Sequence, residues 1–207
     1  MEHLQTGLEF WQKGGAVMYV LLACSLAVAA IGIERWLYFS RMDAGRMFAF
    51  NFLEAMEAGE YAKAYRLAQN TRGILPLLLL SAGKAAEDKL AGYLEIQVGA
   101  ALSKLRAHIY YLSVIVTMAP LLGLLGTISG MISAFSVFNL ESGQAAAITG
   151  GVGEALIATA MGLCVAIVSL AVHAYFTQRI ESIVTDMEQC TSIVETEIEA
   201  WRQEAQS

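Results

Sequence analysis

Three long apolar stretches divide the chain, and its charged residues lie between and after them. A membrane-spanning helix needs about 20 consecutive, mostly apolar residues, and each stretch is close to that length or longer. The pattern predicts an all-α integral membrane protein with three transmembrane helices, with long helices extending into the cytoplasm. The spans are predicted at residues 15–33, 109–138 and 154–177.

Residues 1–14 form a short amphipathic segment before the first span. Leu4, Leu8 and Trp11 share one face of a helix at this spacing. Such a segment is typical of a helix that lies on the membrane surface, with its tryptophan at the depth of the lipid headgroups.

The first apolar stretch could also be a signal sequence, either a signal peptide or a lipoprotein signal, that is cleaved from the protein. Its residues Leu21 to Cys24 loosely resemble a lipoprotein cleavage box. A cleavable signal turns polar after the cleavage site, whereas this chain stays apolar as far as Ile33. We therefore expect no cleavage, and a helix that remains in the membrane.

The distribution of basic residues predicts the orientation of the chain. Segment 34–108 holds ten of the thirteen Lys and Arg residues, whereas the loop at 139–153 has none. Loops rich in Lys and Arg stay in the cytoplasm. This predicts a periplasmic N-terminus, a cytoplasmic domain at 34–108, a periplasmic loop at 139–153 and a cytoplasmic C-terminus.

Helical spacing continues through the predicted cytoplasmic domain. Phe48, Phe52 and Met56 recur at intervals of four, and Tyr61 and Tyr65 repeat that step. The stretch 90–105 then leads toward the second span without a strong helix breaker. We expect one long helix there that begins in the cytoplasm and continues into the bilayer.

The C-terminal helix predicted at 178–207 carries an apolar seam. Its positions alternate steps of four and three, which is the a/d pattern of packed helices: Ile180, Val184, Met187, Thr191, Val194, Ile198 and Trp201. The seam could dock on the chain's own cytoplasmic domain or lie between subunits. We favour the second arrangement, because the pattern continues directly from a packed membrane helix.

Small residues are frequent in the second and third spans, as in helices that pack closely against other helices. The candidate packing positions are Gly123, Gly126, Gly130 and Gly162. Pro120 is expected to kink the second span, because it removes a backbone donor. A monomer would leave the glycine face and the C-terminal seam uncovered, which predicts a homo-oligomer.

Two of the three candidate residues for an ion pathway are threonines, Thr127 and Thr159. Each lies on a weakly polar stripe along one face of its helix. The stripe of Thr127 also contains Thr117, Pro120, Met131 and Ala134. The stripe of Thr159 also contains Ala155, Gly162, Ala166 and Ser169. The stripes could line a pore, or each hydroxyl could bond to its own helix backbone.

The third candidate is Glu154, which opens the last span. A carboxylate in a membrane segment is costly unless it faces protein or water, which favours a functional role. The alternative is a structural one, because the first turn of a helix favours an anion. Because Glu154 and Thr159 are about 140° apart on a straight helix, we place Glu154 at the rim or between subunits. His173 is interpreted as an interfacial side chain rather than a proton relay.

Composition narrows the class of protein. The chain is 57% hydrophobic and 15% charged, and its net charge is −6. The acidic balance argues against nucleic-acid binding. The three cysteines suggest no disulfide framework. No metal-ligand spacing, catalytic nucleophile with a base or phosphate-binding loop is present, so neither an enzyme nor a cofactor is expected.

Two motifs resemble those of the MotA/TolQ/ExbB family of proton-driven motor subunits. They are GLLGTISGM at Gly123 to Met131 and GEALIATAMGL at Gly153 to Leu163. The resemblance implies a three-span subunit that forms a pentamer around two copies of a one-span partner of the ExbD/TolR type. Thr127, Glu154 and Thr159 match the family's polar pore positions. Gly150 and Val168 stand where family members often have proline.

The resemblance also implies a function and a location. The chain would be a multi-pass protein of the bacterial inner membrane, in which the partner's aspartate takes the proton and ion flow does work on the cell envelope, as in TonB-dependent transport. A TonB- or TolA-like protein is a further implied partner. The three predicted spans argue against the four-span flagellar stators of the family. Of the remaining branches, an ExbB-like subunit is the first choice and a TolQ-like one the second. The rival interpretation is a membrane scaffold that assembles a complex without conducting ions.

Overall fold

The structure is a computed structural model that describes residues 15–83, 90–140 and 145–206. Every regular element within these ranges is an α-helix, which confirms the all-α prediction. The helices are α1 (Gly15–Met42), α2 (Arg46–Glu57), α3 (Tyr61–Asn70), α4 (Ile74–Ala82), α5 (Leu90–Arg106), α6 (Ile109–Leu140), α7 (Ala145–Thr196) and α8 (Ile198–Gln206). The predicted surface segment 1–14 lies outside the described residues.

Three of these helices, α1, α6 and α7, are long and apolar enough to cross a membrane. The chain divides into two compact units. The apolar unit comprises the described residues of 1–33 and 108–175, and the polar unit comprises those of 34–107 and 176–207.

Small side chains dominate the centre of the apolar unit. Its core cluster joins Met18 and Leu21 of α1 with Ala119 of α6 and with Val165 and Ala166 of α7. Small residues let helices approach closely, and the van der Waals contact that results is a main driving force for helix association in lipid.

Most large apolar side chains of α6 instead point outward. Leu121, Leu124, Ile128 and Ile132 are all exposed on the surface of the unit. In water such a surface would be unfavourable, whereas lipid tails or another apolar helix solvate it well.

The prediction of one continuous helix from residue 90 into the second span is wrong. Helix α5 ends at Arg106, and α6 begins at Ile109. Between them His108 adopts a φ of 66°, the left-handed conformation that commonly terminates a helix. This break could not be predicted from the sequence, because neither glycine nor proline lies between the two helices.

Helix α7 is longer than the third predicted span. It runs for 52 residues, about 78 Å at the usual helical rise. It begins at Ala145, inside the segment predicted as an outer loop. It ends at Thr196, and Glu197 separates it from α8.

An aromatic cluster forms the core of the polar unit around Trp201. The indole lies edge-on to Phe52 and Tyr65, with ring centroids 5.5 and 5.2 Å away. Its Nε1 donates a hydrogen bond of 3.1 Å to the Leu79 carbonyl oxygen. Tyr61 donates a further bond to Glu197, next to the α7–α8 break. These contacts hold α8 on α2, α3 and α4.

The preferred arrangement for the C-terminal seam, between subunits, is therefore wrong. Six of its seven positions are buried within the single chain, and Val184 is half-buried. The alternative arrangement, in which the seam docks on the chain's own helices, is the one in the structure. Periodicity reveals that a face is covered, but both arrangements require the same periodicity.

Arg35 is the most buried charged residue among those described, at 3% exposure. Its guanidinium donates to both carboxylate oxygens of Glu34 and to the Lys104 carbonyl oxygen, and it lies 4.8 Å from the Tyr38 ring centroid. Lys104 is in the last turn of α5, where carbonyl groups lack helical partners and a cation is favourable. Arg35 thus links α1 to the end of α5.

A second charged cluster joins the α1–α2 turn to α7. The carboxylate of Asp43 accepts a 2.8 Å hydrogen bond from the Gly45 N–H and pairs with Arg179. Asp186 lies seven residues after Arg179, about two turns further along α7. Burial raises the pKa of the Asp186 carboxyl above its usual value, with Arg46 and Arg179 opposing the shift and Asp43 adding to it.

This shift predicts a pH-dependent effect of Asp186→Asn. The carboxyl is protonated more readily in the folded protein, so its ionised form lowers stability as pH rises through the raised pKa. We expect Asp186→Asn to raise the thermal midpoint at neutral pH, by an amount that shrinks in acid. Thermal unfolding of the purified wild type and variant at neutral pH and at acid pH measures the difference in midpoint. The exposed Glu188→Gln serves as a control, and a lower midpoint for Asp186→Asn at neutral pH would contradict the prediction.

Candidate functional site

Helices α6 and α7 approach each other almost backbone to backbone. A methyl group at Gly162 of α7 would lie 2.5 Å from the Ala119 carbonyl oxygen and 3.0 Å from the Gly123 Cα atom. A methyl group at Gly130 would lie 3.2 Å from the Cβ atom of Ala155. No side chain larger than hydrogen fits at Gly162 without moving backbone.

All four candidate packing glycines lie in this contact. Gly123 and Gly126 face Ala158 and Thr159, and Gly126 also faces Val17 of α1. The expectation that the glycine face is uncovered in a monomer is therefore wrong, because α7 of the same chain covers it. A GxxxG pattern favours close helix contact, but it does not distinguish a helix of the same chain from one of another subunit.

Two side-chain hydrogen bonds join α6 and α7 on either side of Gly162. Thr159 donates to the Gly123 carbonyl oxygen at 3.2 Å, and Ser169 donates to the Leu112 carbonyl oxygen at 3.1 Å. Ser169 is 0% exposed. In an apolar surrounding a hydroxyl gains most by bonding to a carbonyl oxygen.

Sequence reasoning placed Ser169 on the α7 stripe but missed this bond. The available signal was its position seven residues after Gly162, on the face formed by small residues.

Apart from Thr159, the α7 stripe packs against α6 within the single chain. Ala155, Gly162, Ala166 and Ser169 are buried. Their partners on α6 include Gly130, Ala119 and Leu112. Thr159 remains half-buried. A role for Thr159 at a pore therefore stays a prediction, although its hydroxyl bonds to α6.

The α6 stripe is more open. Thr117 and Met131 are exposed, Pro120 and Thr127 are half-buried, and Ala134 is buried. The Thr127 hydroxyl donates to the Leu124 carbonyl oxygen at 2.6 Å, so it bonds to its own helix backbone. Its oxygen can still accept a hydrogen bond. Helix α6 continues through Pro120, and a kink there stays a prediction.

The residues next to the two candidate threonines meet in the same helix contact. Gly126, next to Thr127, packs so closely on Ala158, next to Thr159, that a methyl group would lie 2.6 Å from the Ala158 Cβ atom. Glu154 lies on α7, but its side chain is outside the described part of the structure, and its role stays a prediction. Among the described residues no group of three or more His, Cys, Asp or Glu side chains could hold a metal ion.

Comparisons with known proteins agree on one family. Residues 63–189 match the model of the MotA/TolQ/ExbB proton channel family, a range that contains both threonines and the α6–α7 contact. The chain is 37% identical to the biopolymer transport protein ExbB-like 3 of Synechocystis sp., over 76% of this chain and 78% of that relative.

Two further relatives match over most of the chain. The biopolymer transport protein ExbB-like 1 of Synechocystis sp. is 32% identical over 80% of this chain and 68% of its own length. The biopolymer transport protein ExbB homolog of Methanothermobacter thermautotrophicus is 27% identical over 88% of this chain and 67% of its own length. The extent and identity of these matches show that the chain belongs to the MotA/TolQ/ExbB proton channel family.

Proposed function

We propose that this protein is the housing subunit of an ExbB/TolQ-like motor in the bacterial inner membrane, driven by the proton-motive force. One observation carries the proposal. In a member of a proton channel family, the paired helices α6 and α7 offer the Thr127 and Thr159 hydroxyl groups within their apolar segments, but no carboxylate, imidazole, ammonium or guanidinium group at 109–138 or between Glu154 and His173.

Hydroxyl groups do not change protonation at working pH. The third span has one carboxylate, Glu154, and one imidazole, His173, which lie near its two ends, 19 positions apart, or about 28 Å along a helix. Neither can pass a proton directly to the other. The proton carrier is therefore a carboxylate of a second protein, a one-span ExbD/TolR-like subunit whose helix enters a ring of these chains. A TonB- or TolA-like protein transmits the work to the envelope.

The ring is a homo-oligomer, a pentamer by analogy with the family. Since the glycine face and the C-terminal seam are covered within the chain, other surfaces have to join the copies. The exposed apolar side chains of α6 and α7, such as Leu121, Ile132, Leu156 and Ile167, supply such a surface. In the ring Thr127, Glu154 and Thr159 contribute polar groups to the ion pathway.

Thr127→Val tests the pathway. Valine has the shape of threonine, and the hydroxyl that is lost bonds only within α6, so the α6–α7 contact is retained. We expect assembly with the partner to be unchanged and proton flux through the complex to fall at least tenfold, equivalent to about 1.4 kcal/mol. Flux is measured in liposomes that contain the co-purified complex, under an imposed pH gradient.

Thr185→Val is the matched control, because Thr185 is an exposed threonine of α7 whose hydroxyl also bonds to its own helix. Liposomes that contain this chain alone should show only background flux. Strong flux without a partner, abolished by Glu154→Gln, would show that the chain is a complete channel. Unchanged flux and activity for both Thr127→Val and Glu154→Gln, with the complex assembled, would favour the scaffold.

A further inference from the structure

The outward face of α7 in the polar unit is acidic. Three exposed glutamates recur there at every seventh position, Glu181, Glu188 and Glu195. Positions seven apart lie on one face of a helix, about 10.5 Å from one to the next. No Lys or Arg occurs between residues 180 and 201, so no base on this part of α7 offsets these charges. We call this face the acidic stripe.

A surface of opposite charge surrounds the turn between α1 and α2, and we call it the basic corner. Arg179 pairs with Asp43 of that turn, and the charge of Arg46 acts on Asp186. A methyl group at Gly73 would lie 3.0 Å from the Met42 carbonyl oxygen, which brings the neighbouring arginines beside the same turn. The corner thus holds four exposed arginines, Arg41, Arg46, Arg72 and Arg179. The carboxylates within this group are those of Asp43 and Asp186, so positive charge is in excess.

The two surfaces lie on opposite sides of α7 but at the same level along it. Glu181 follows Arg179 by two residues, a rotation of about 200° at 100° per residue, so the two side chains leave α7 in nearly opposite directions. Arg179 pairs with the α1–α2 turn, and Asp186 lines a small cavity beside it. Glu181 and Glu188 therefore stand at the height of the basic corner.

Equal height is what a ring requires of two surfaces that meet, because rotation about the ring axis leaves the height of every residue unchanged. Helix α7 continues from the third span, and membrane helices tilt by only about 20° on average from the bilayer normal. Each copy in a ring also presents two different, complementary surfaces to its two neighbours. The acidic stripe and the basic corner meet both requirements.

We propose that the acidic stripe of one copy docks on the basic corner of the next copy and so joins the polar units of the ring. The inference rests on the ring in the proposed function, and it adds the contact outside the membrane. Complementary charges fix the register of two surfaces and disfavour wrong partners. A single exposed ion pair contributes little, whereas several charges held on helices and a fixed turn act as a network.

Cross-linking tests the geometry of this contact. The variant carries Glu181→Cys together with Arg72→Cys, in a chain whose natural cysteines are replaced by alanine, and membranes are treated with a short bismaleimide. We expect a ladder of covalent multimers for this pair and none for either single variant. The control pair is Glu57→Cys with Arg72→Cys, because Glu57 is exposed on α2, away from the stripe. No ladder for the test pair, or an equal ladder for the control pair, overturns the contact.

Charge reversal tests the attraction independently of the cross-link. We expect Glu181→Arg to lower the ratio of oligomer to monomer about tenfold at low salt, equivalent to about 1.4 kcal/mol. The difference should shrink at high salt, because exposed charges are screened. Native mass spectrometry in mild detergent measures the ratio, and Glu57→Arg is the control with the same change of charge. An unchanged ratio for Glu181→Arg overturns the contact and leaves the proposed function intact, whereas a monomeric wild type overturns the ring itself.

Discussion

Replacing Trp201 with alanine is expected to release α8 from the polar unit. The indole is 0% exposed, and it contacts Phe52 and Tyr65 of two other helices. Truncating a buried tryptophan typically costs about 3–5 kcal/mol, because the surrounding side chains only partly fill the space that is left. We expect Trp201→Ala to lower the stability of the polar unit by about 4 kcal/mol.

The lost hydrogen bond contributes to this effect. The Leu79 carbonyl oxygen lies in the last turn of α4, where helical partners are missing, and Trp201 Nε1 supplies the donor. Trp201→Phe keeps a ring in the cluster but leaves that buried oxygen without its donor, so we expect an intermediate loss of about 1–3 kcal/mol.

Hydrogen exchange measured helix by helix is the suitable readout, because the chain has two compact units and its global unfolding need not be two-state. Exchange should accelerate in α8 and in the last two turns of α7, and leave α6 unchanged. Trp36→Ala is the control, since that tryptophan is 59% exposed. Native-like protection of α8 in Trp201→Ala would contradict the assigned role.

The spans could be predicted from sequence because one physical constraint fixes them. A helix must be about 20 apolar residues long to cross the hydrocarbon core, and charged residues mark where it leaves. The helices of the polar unit were also predictable, because Phe52 and Met56 of α2 and Tyr61 and Tyr65 of α3 keep the helical period. Each of these signals is local, so a single sequence contains it.

The partner of each buried face could not be predicted in the same way. The spacing of Ile180 to Trp201 shows that one face of the C-terminal helix is covered, but intrachain and intersubunit packing select the same residues. Gly126 and Gly130 present the same ambiguity, since α7 meets them as closely as a helix of another copy could. What covers a face depends on chain topology, which periodicity does not record.

In the candidate site, too, the sequence identified the polar side chains but not their hydrogen-bond partners. Thr127 and Thr159 were both predicted from motif and spacing, but the sequence left open whether each hydroxyl bonds to its own helix. In the structure Thr127 bonds to Leu124 of its own helix and Thr159 bonds to Gly123 of the facing one. Thr159 reaches the facing helix because Gly123 has no side chain, and a methyl group there would lie 3.0 Å from the Thr159 Cα atom.

Gly162→Ala should have a large effect for a single added methyl group. That methyl would meet the Ala119 carbonyl oxygen and the Gly123 Cα atom, both backbone atoms that cannot rotate away. The helices have to separate, and the hydrogen bonds of Thr159 and Ser169 on either side of the contact lengthen with them. Overpacking typically costs about 1–3 kcal/mol, and we expect the upper end because two bonds weaken as well.

Gly153→Ala, on the same helix, is expected to have the opposite effect on stability. A methyl group at Gly153 meets no atom within 4 Å, and alanine favours a helix over glycine by about 1 kcal/mol. We expect Gly153→Ala to raise the thermal midpoint in detergent and Gly162→Ala to lower it, with loss of proton flux in the assembled complex for Gly162→Ala. Equal midpoints for the two variants would show that α6 and α7 are not packed at Gly162 as closely as the structure places them.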